Sequence, residues 1–448
     1  MANQIDDKPS LPKEYVQLEY LETTGTQWLD TGIIPNKDNY WVDYEAQKTS
    51  GVDSWIFGNI QANSGSMFHI NMFSNSSLYC RYKSNNIHAN VANNFYSKNR
   101  VFMNQEGAWY NDTKVIYFTS TGDFSANTTT IRIFGRVDNN GGILYPFIGR
   151  LYYFKLGMGD DIIMDLIPAL RIADLRSGMY DLVSGQFFTN QGTGEFVFPD
   201  IPENQKPYLC FEALEDGLQV SLSDNGDGQS LEYSLDKNTW NVINKEELTP
   251  SVNAGSKVYF RGNLIPHYDN ATPSSSKGIG TFSTTKKFNL SGTPCSLLFG
   301  GNISLYLNIS DLKASFIRLF AKTQVMNVLN PYFIPCTALS NYCCYGMFAD
   351  CIELIDADLE ILDNRNLGGI NTYSFVVIFK NCNNLLRGIR SIKTQGLAML
   401  ANAYENCYKL TRPTNLDIIE LSTSLMNKTY YNCLSLKHPP NYSKGNNY

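Results

Sequence analysis

Two residues of one short segment, Asp43 and Glu45 in Asp43-Tyr-Glu45, have the types and spacing that could break a glycosidic bond. Side chains two positions apart on a strand point to the same face, and sugar hydrolysis uses a pair of carboxylates flanking the scissile linkage. The competing chemistry is binding. Sugar rings present apolar faces that stack on aromatic side chains, and Trp28, Trp41, Trp55 and Trp109 all fall in the first part of the chain. Trp109, beside the turn Tyr110-Asn-Asp112, is the leading candidate for a glycan contact, with Tyr110, Trp55 and Tyr82 beside it. Trp28 lies in a core-type strand and is the weakest. The Asn-rich stretch Tyr82-Lys-Ser-Asn-Asn-Ile-His-Ala-Asn90 reads as a loop whose amides could address hydroxyl groups.

Other chemistries find less support. His69, His88, His267 and His438 are scattered without ligand spacing, and each reads as a loop or surface residue. Asp224-Asn-Gly-Asp-Gly228 lacks both the alternating acidic positions and the distal acidic residue of a calcium loop, so turn chemistry explains it. There is no Gly-x-Ser-x-Gly elbow, phosphate loop or dinucleotide fingerprint, and neither metal nor cofactor is expected. A net charge of -6 argues against a general nucleic-acid binder, which needs a cationic face to displace counterions. No apolar run approaches the roughly 18 residues of a membrane span, so no membrane insertion is expected.

The elements that must position these residues are strands. From Tyr15 to about Pro199, short alternating segments such as Trp41–Ala46, Met67–Phe73, Lys114–Phe118, Thr130–Phe134 and Gly149–Leu156 are separated by Gly, Asn, Asp and Ser. That pattern predicts an antiparallel sandwich. A second β stretch carries Gly217–Leu222, Leu231–Leu235, Trp240–Ile243 and Lys257–Arg261, with a Pro- and Ser-containing loop, Ala271–Lys277, after it. The last quarter repeats an aromatic residue followed by x-Asn/Asp-Cys-x-x-Leu, at Phe348–Leu354, Phe379–Leu385, Tyr404–Leu410 and Tyr430–Leu436. A degenerate copy, Phe320–Met326, carries Thr323 in the cysteine position. A period near 25–31 residues predicts stacked coils, each completed by its neighbours. In such a stack the recurring cysteine reads as a small buried hydrophobe. Disulfides are the competing reading, weakened by the absence of any Cys-x-x-Cys pair.

The division that follows is an amino-terminal arm or anchor over 1–14, a sandwich over 15–200, a small β-sandwich over 206–278 and a solenoid over 279–448. Met1–Pro9 has no basic segment followed by an apolar one, so it does not read as a secretory signal. Either such a signal has been removed or the protein leaves its cell by another route, such as lysis within a virus particle.

Two family resemblances sharpen this. Tyr20-Leu-Glu-Thr-Thr-Gly-Thr-Gln-Trp-Leu-Asp-Thr-Gly32 resembles the opening strand of concanavalin A-like lectin/glucanase (laminin G-like) domains. Ile148–Lys155, Asp165–Arg171 and Gly178–Asn190 resemble that domain's closing strands. The resemblance implies a jelly roll. It also implies a test for hydrolysis, since glucanases of that fold use roughly Glu-x-Asp-x-x-Glu, and Asp43-Tyr-Glu45 lacks the third member. Leu339-Ser-Asn-Tyr-Cys-Cys-Tyr-Gly-Met-Phe348 resembles the phrase that precedes the cysteine in BspA-type leucine-rich repeats, from which Tyr373–Phe379 and Leu362–Gly369 depart. Together they imply a mainly β chain of jelly-roll sandwich, small β-sandwich and leucine-rich-repeat solenoid. The implied role is that of a non-enzymatic structural protein of a phage virion: a head or tail fibre, spike or decoration protein. It would be anchored to other virion proteins through its arm, assembled as a homotrimer, and would contact a host-surface polysaccharide. A bacterial cell-surface adhesin is the alternative, and a glycan hydrolase a weaker one.

Overall fold

In the strand Tyr40–Lys48 every second residue, from Tyr40 to Lys48, is buried while its neighbours are half-exposed, as a pleated strand with one covered face requires. The computed structural model describes residues 11–59, 67–73, 77–91, 95–119, 124, 128–137, 143–223, 230–270, 275–361, 373–394, 400–418, 426–438 and 442–444. Most of the arm, the turn Asp224–Gly228 and the link Leu362–Gly369 lie outside the described residues. The chain divides into two compact units, residues 1–172 with 176–201, and residues 202–448 with 173–175.

Among the described residues the first unit is built on two large antiparallel sheets, with a small two-stranded one, Arg136–Val137 with Ile143–Leu144, beside them. Tyr40–Lys48 sits near the middle of the larger one, between Asn99–Asn104 and Gly149–Met158. Beyond Asn99–Asn104 come Gly107–Tyr110 and then the edge strand Thr113–Tyr117. Beyond Gly149–Met158 come Asp161–Arg171, Arg176–Asp181 and Phe187–Thr189. The smaller sheet runs Leu29–Asp30, Arg132–Ile133, Ser54–Asn59, Met67–Met72, Ser77–Lys83 and Asn85–Asn90. Their apolar faces meet. Phe57, from the smaller sheet, lies edge-on to Tyr44 at 6.1 Å and to Phe154 at 5.5 Å, both from the larger sheet, and to Phe68 at 5.2 Å. The predicted segments are strands as expected, except that Thr130–Phe134 shortens to Arg132–Ile133.

In the second unit, the small module and the repeat region are not separate bodies. Described residues from Asn241–Ile243 through Leu231–Ser234, Lys257–Gly262 and Leu209–Ala213 to Phe288–Ser291 pair antiparallel. From Phe288–Ser291 the same sheet continues in parallel through Val325–Val328, Asp356–Ile361, Arg387–Thr394, Asn415–Ile418 and Tyr442–Lys444. The core is shared across the expected boundary at 278: Phe211 lies 5.0 Å from Phe282 and 6.0 Å from Phe320. Helix is confined to short turns such as Ser296–Phe299 among the described residues, and none is long and apolar enough to cross a membrane.

Each position of the repeated phrase has its own task. The aromatic rings stack face to face in a column, Phe320 to Phe348 at 5.4 Å, Phe348 to Phe379 at 5.6 Å, Phe379 to Tyr404 at 5.6 Å and Tyr404 to Tyr430 at 5.3 Å. The residue before each cysteine, Asp350, Asn381, Asn406 and Asn432, has φ of 61°, 63°, 64° and 61°. Asn and Asp tolerate that left-handed conformation better than other side-chain-bearing residues. Their amides form a second ladder: Asn381 donates to Asp350, Asn406 to Asn381 and Asn432 to Asn406, at 2.7–2.8 Å. The cysteine thiols form a third. Cys351, Cys382 and Cys407 donate to the carbonyls of Phe320, Phe348 and Phe379, the aromatic residues of the preceding copies, each at 3.0 Å. Cys382→Ala and Cys407→Ala are each expected to lower stability by about 1 kcal/mol, read as a small drop in urea midpoint. A loss several times larger would mean that the thiol ladder carries more than packing.

Candidate functional site

Gly107–Tyr110 and Thr113–Tyr117 form a hairpin closed by Asn111 and Asp112, whose φ values of 45° and 64° are those of a tight two-residue turn. The register sets Trp109 opposite both Phe102 and Lys114. The Lys114 ammonium then lies 4.6 Å from the Trp109 ring centre and 4.8 Å from that of Tyr117. A cation over two aromatic faces ties the hairpin's outward side chains together, while Ala108, Tyr110 and Ile116 turn into the core beneath. Glu106 stands 3.8 Å from the same ammonium.

This hairpin borders an open concavity of about 590 Å³ lined by Tyr82, Lys83, Gln105, Glu106, Lys114, Tyr117 and Phe118. Tyr82 and Phe118 stack at 5.6 Å to form its aromatic floor. The Tyr82 hydroxyl donates to the Tyr40 carbonyl at 2.9 Å, and burial pushes its pKa up. Lys83 is held by Asp38 at 2.7 Å. Tyr117, 64% exposed, presents its ring to solvent at the rim. The arrangement offers a flat apolar face, an amide, a carboxylate and two ammonium groups, so it can both stack a ring and exchange hydrogen bonds with it.

The candidates read from sequence separate on exposure. Trp109 is half-buried and keeps part of its surface, packed 5.3 Å from Phe102. Tyr110, 4% exposed, packs edge-on to Phe95, and burial raises its pKa to about 12. Trp55 is 5% exposed with its ring centre 3.9 Å from that of His69. Neither has a free face for a sugar. Tyr82 reaches the concavity only as floor. Trp28 is half-exposed, not core, and carries the Arg132 guanidinium over its ring at 4.1 Å. Trp41 lies flat on Gly157, where any added Cβ would fall 2.0 Å from the indole, and its N–H donates to the Gly159 carbonyl at 2.9 Å. His69 is fully buried in a strand, so its reading as a loop or surface residue is corrected, and Asn85–Asn90 is a strand, not a loop. Tyr117 and Phe118 were missed. The signal was present in Lys114-Val-Ile-Tyr-Phe118, since Ile116 facing inward puts Tyr117 outward.

Asp43 and Glu45 do share a face, as the strand reading requires, but each is engaged by a cation. The Arg100 guanidinium forks onto Asp43 at 2.9 and 2.7 Å, and the Tyr153 hydroxyl donates to the same carboxylate at 3.0 Å. Those contacts hold the Arg100 pKa above its ordinary value, and burial followed by the Asp43 charge raises that of Tyr153. Glu45 pairs with Lys98 at 3.0 Å. A second charged hollow, of about 260 Å³, lies on the parallel strands of the second unit among Asp356, Asp358, Arg387 and Arg390. Arg390 and then Arg412 hold Asp358 below the usual carboxylate range, so these charges are spent on one another.

No protein-family model matches the chain, and no curated relative matches it. Among solved structures, the chain is similar to a Ruminococcus gnavus IT-sialidase CBM40 bound to alpha2,3 sialyllactose. That likeness covers 33% of this chain and 94% of the other, at 15% identity and a TM-score of 0.27.

Proposed function

We propose that this chain is a non-catalytic display and binding protein whose first unit, a jelly roll, takes a surface polysaccharide in the hollow lined by Tyr117, Lys114 and Tyr82. Its second unit, a β module continued as a leucine-rich-repeat solenoid, is the scaffold. The setting we propose is the surface of a phage particle, as a fibre, spike or decoration protein joined to other virion proteins by the arm. Assembly as a homotrimer would multiply weak sites into avidity. A bacterial surface adhesin would use the same binding chemistry. The observation that carries the reading is an exposed ring, Tyr117, at the rim of an aromatic-floored concavity of about 590 Å³.

Support for binding without turnover comes from Asp43 and Glu45. Both are committed to cations, Arg100 and Lys98, where a hydrolase needs one carboxyl able to carry a proton to the leaving oxygen. The test is calorimetry and reducing-sugar release with the full chain against a panel of bacterial capsular and O-antigen polysaccharides. Tyr117→Ala is expected to weaken binding of a responding polysaccharide about tenfold, equivalent to ~1.4 kcal/mol, with an unchanged melting curve. Unaltered affinity in that variant would remove the site. Sugar release abolished by Asp43→Asn would replace binding with hydrolysis.

A further inference from the structure

Ten cysteines occur in the chain, and among the described residues two pairs bring sulfur against sulfur: Cys295 with Cys336 at 3.4 Å, and Cys343 with Cys344 at 3.5 Å. The ladder cysteines are engaged otherwise, each thiol donating to a carbonyl of the preceding copy. We propose that Cys295 and Cys336 close a disulfide when the protein folds in an oxidising medium, and that no other pair does.

The fold, not the side chains alone, brings these two together. Cys295 is held by the helical turn that follows it, where the Phe299 N–H donates to the Cys295 carbonyl at 3.1 Å, and Ser296 is tied to the Phe260 carbonyl at 2.9 Å. Cys336 is placed by the segment after it, which pairs with 307–309: Thr337 N–H donates to Leu307 and Ile309 N–H to Ala338, both at 2.8 Å. Both thiols are fully buried and point at one acceptor, the Tyr306 carbonyl, at 3.5 and 3.2 Å. Forming an S–S bond of about 2.05 Å asks each sulfur to move by roughly 0.7 Å. It joins positions 41 apart in sequence. The vicinal pair is different. Consecutive Cα atoms are about 3.8 Å apart, short of the roughly 4.4–6.8 Å that a disulfide spans, so Cys343 and Cys344 can touch as thiols without bonding.

The oxidant is a low-molecular-weight disulfide such as oxidised glutathione. One cysteine thiolate attacks it to form a mixed disulfide and release one glutathione thiolate; the second cysteine then attacks the protein sulfur of that mixed disulfide and expels the other. In sum two cysteine S–H bonds and the glutathione S–S bond break, one protein S–S bond and two glutathione S–H bonds form, and two electrons pass to glutathione. Because both thiols are buried, the exchange belongs to folding, before this part of the core closes.

The experiment is to refold the full chain with oxidised and reduced glutathione or with dithiothreitol alone. Each sample is then alkylated in denaturant, the added mass counted, and the unreduced digest mapped. The glutathione sample is expected to carry two fewer alkyl groups than the other and to yield a linked peptide containing Cys295 and Cys336. Cys336→Ser should restore alkylation of Cys295 while Cys382→Ser leaves the link in place; if Cys336→Ser does not fold, the unsubstituted map decides. Equal alkylation of the two samples, or a link through Cys343, Cys344 or any ladder cysteine, overturns the proposal.

Discussion

Truncating Tyr404 to alanine is expected to cost about 3–5 kcal/mol, among the largest single losses available in the second unit. Its ring is nearly fully buried and stacks between Phe379 at 5.6 Å and Tyr430 at 5.3 Å, so removal opens a void in the aromatic column on both sides. The hydroxyl has a separate task. It accepts from the Ile389 N–H at 2.8 Å and lies 2.8 Å from the Thr414 hydroxyl, linking the column to the strand Arg387–Thr394 and to the approach to the strand Asn415–Ile418. Gly388 makes room for it, since a Cβ there would stand 2.3 Å from the Tyr404 ring. Tyr404→Phe keeps the stack and abandons a buried N–H, for an expected loss of about 1–3 kcal/mol. Urea denaturation followed by circular dichroism separates the two effects. If both variants lose the same amount, the column contributes nothing beyond the hydrogen bonds. If alanine costs under 1 kcal/mol, the stack does not hold the copies together.

Phe57→Ala should be the corresponding lesion in the first unit, at about 3–5 kcal/mol. Phe57 is fully buried where the two sheets face each other and touches Tyr44, Phe68 and Phe154, two of them from the opposite sheet. Three edge-to-face contacts fix the ring from several directions, which leaves the neighbours little freedom to collapse into the vacated space. Phe57→Leu refills most of the volume and should recover more than half of the loss. Thermal denaturation read by tryptophan fluorescence is the measurement, because Trp55 lies two residues away in the same strand. A Phe57→Leu variant as unstable as Phe57→Ala would show that aromatic geometry, not filled volume, governs this core.

The amino-acid sequence by itself made most of the strands and the recurring buried cysteine legible, and the spacing that produces the ladders is written in it. A phrase that recurs with an aromatic, an Asn and a Cys at fixed offsets can satisfy all three only if successive copies lie in register, and the column from Phe320 to Tyr430 is that register made physical. Alternation likewise placed Tyr40–Lys48 and the pairing of Asp43 with Glu45 on one face. What only the tertiary structure decided is which aromatic rings remain in water. Period-two patterning distinguishes two faces of a strand without saying whether one or both will be covered, and in Ser54–Asn59 both are, which takes Trp55 out of reach. Tyr110 turns toward Phe95 while Tyr117 reaches the rim, because the hairpin lies at an edge and the register across Asn111 and Asp112 assigns the sides. Nor could composition show that residues 206–278 and 279–448 would share a core. Phe211, Phe282 and Phe320 are far apart along the chain, and the gain from burying them together exists only once the sheet passes from antiparallel to parallel at Phe288–Ser291.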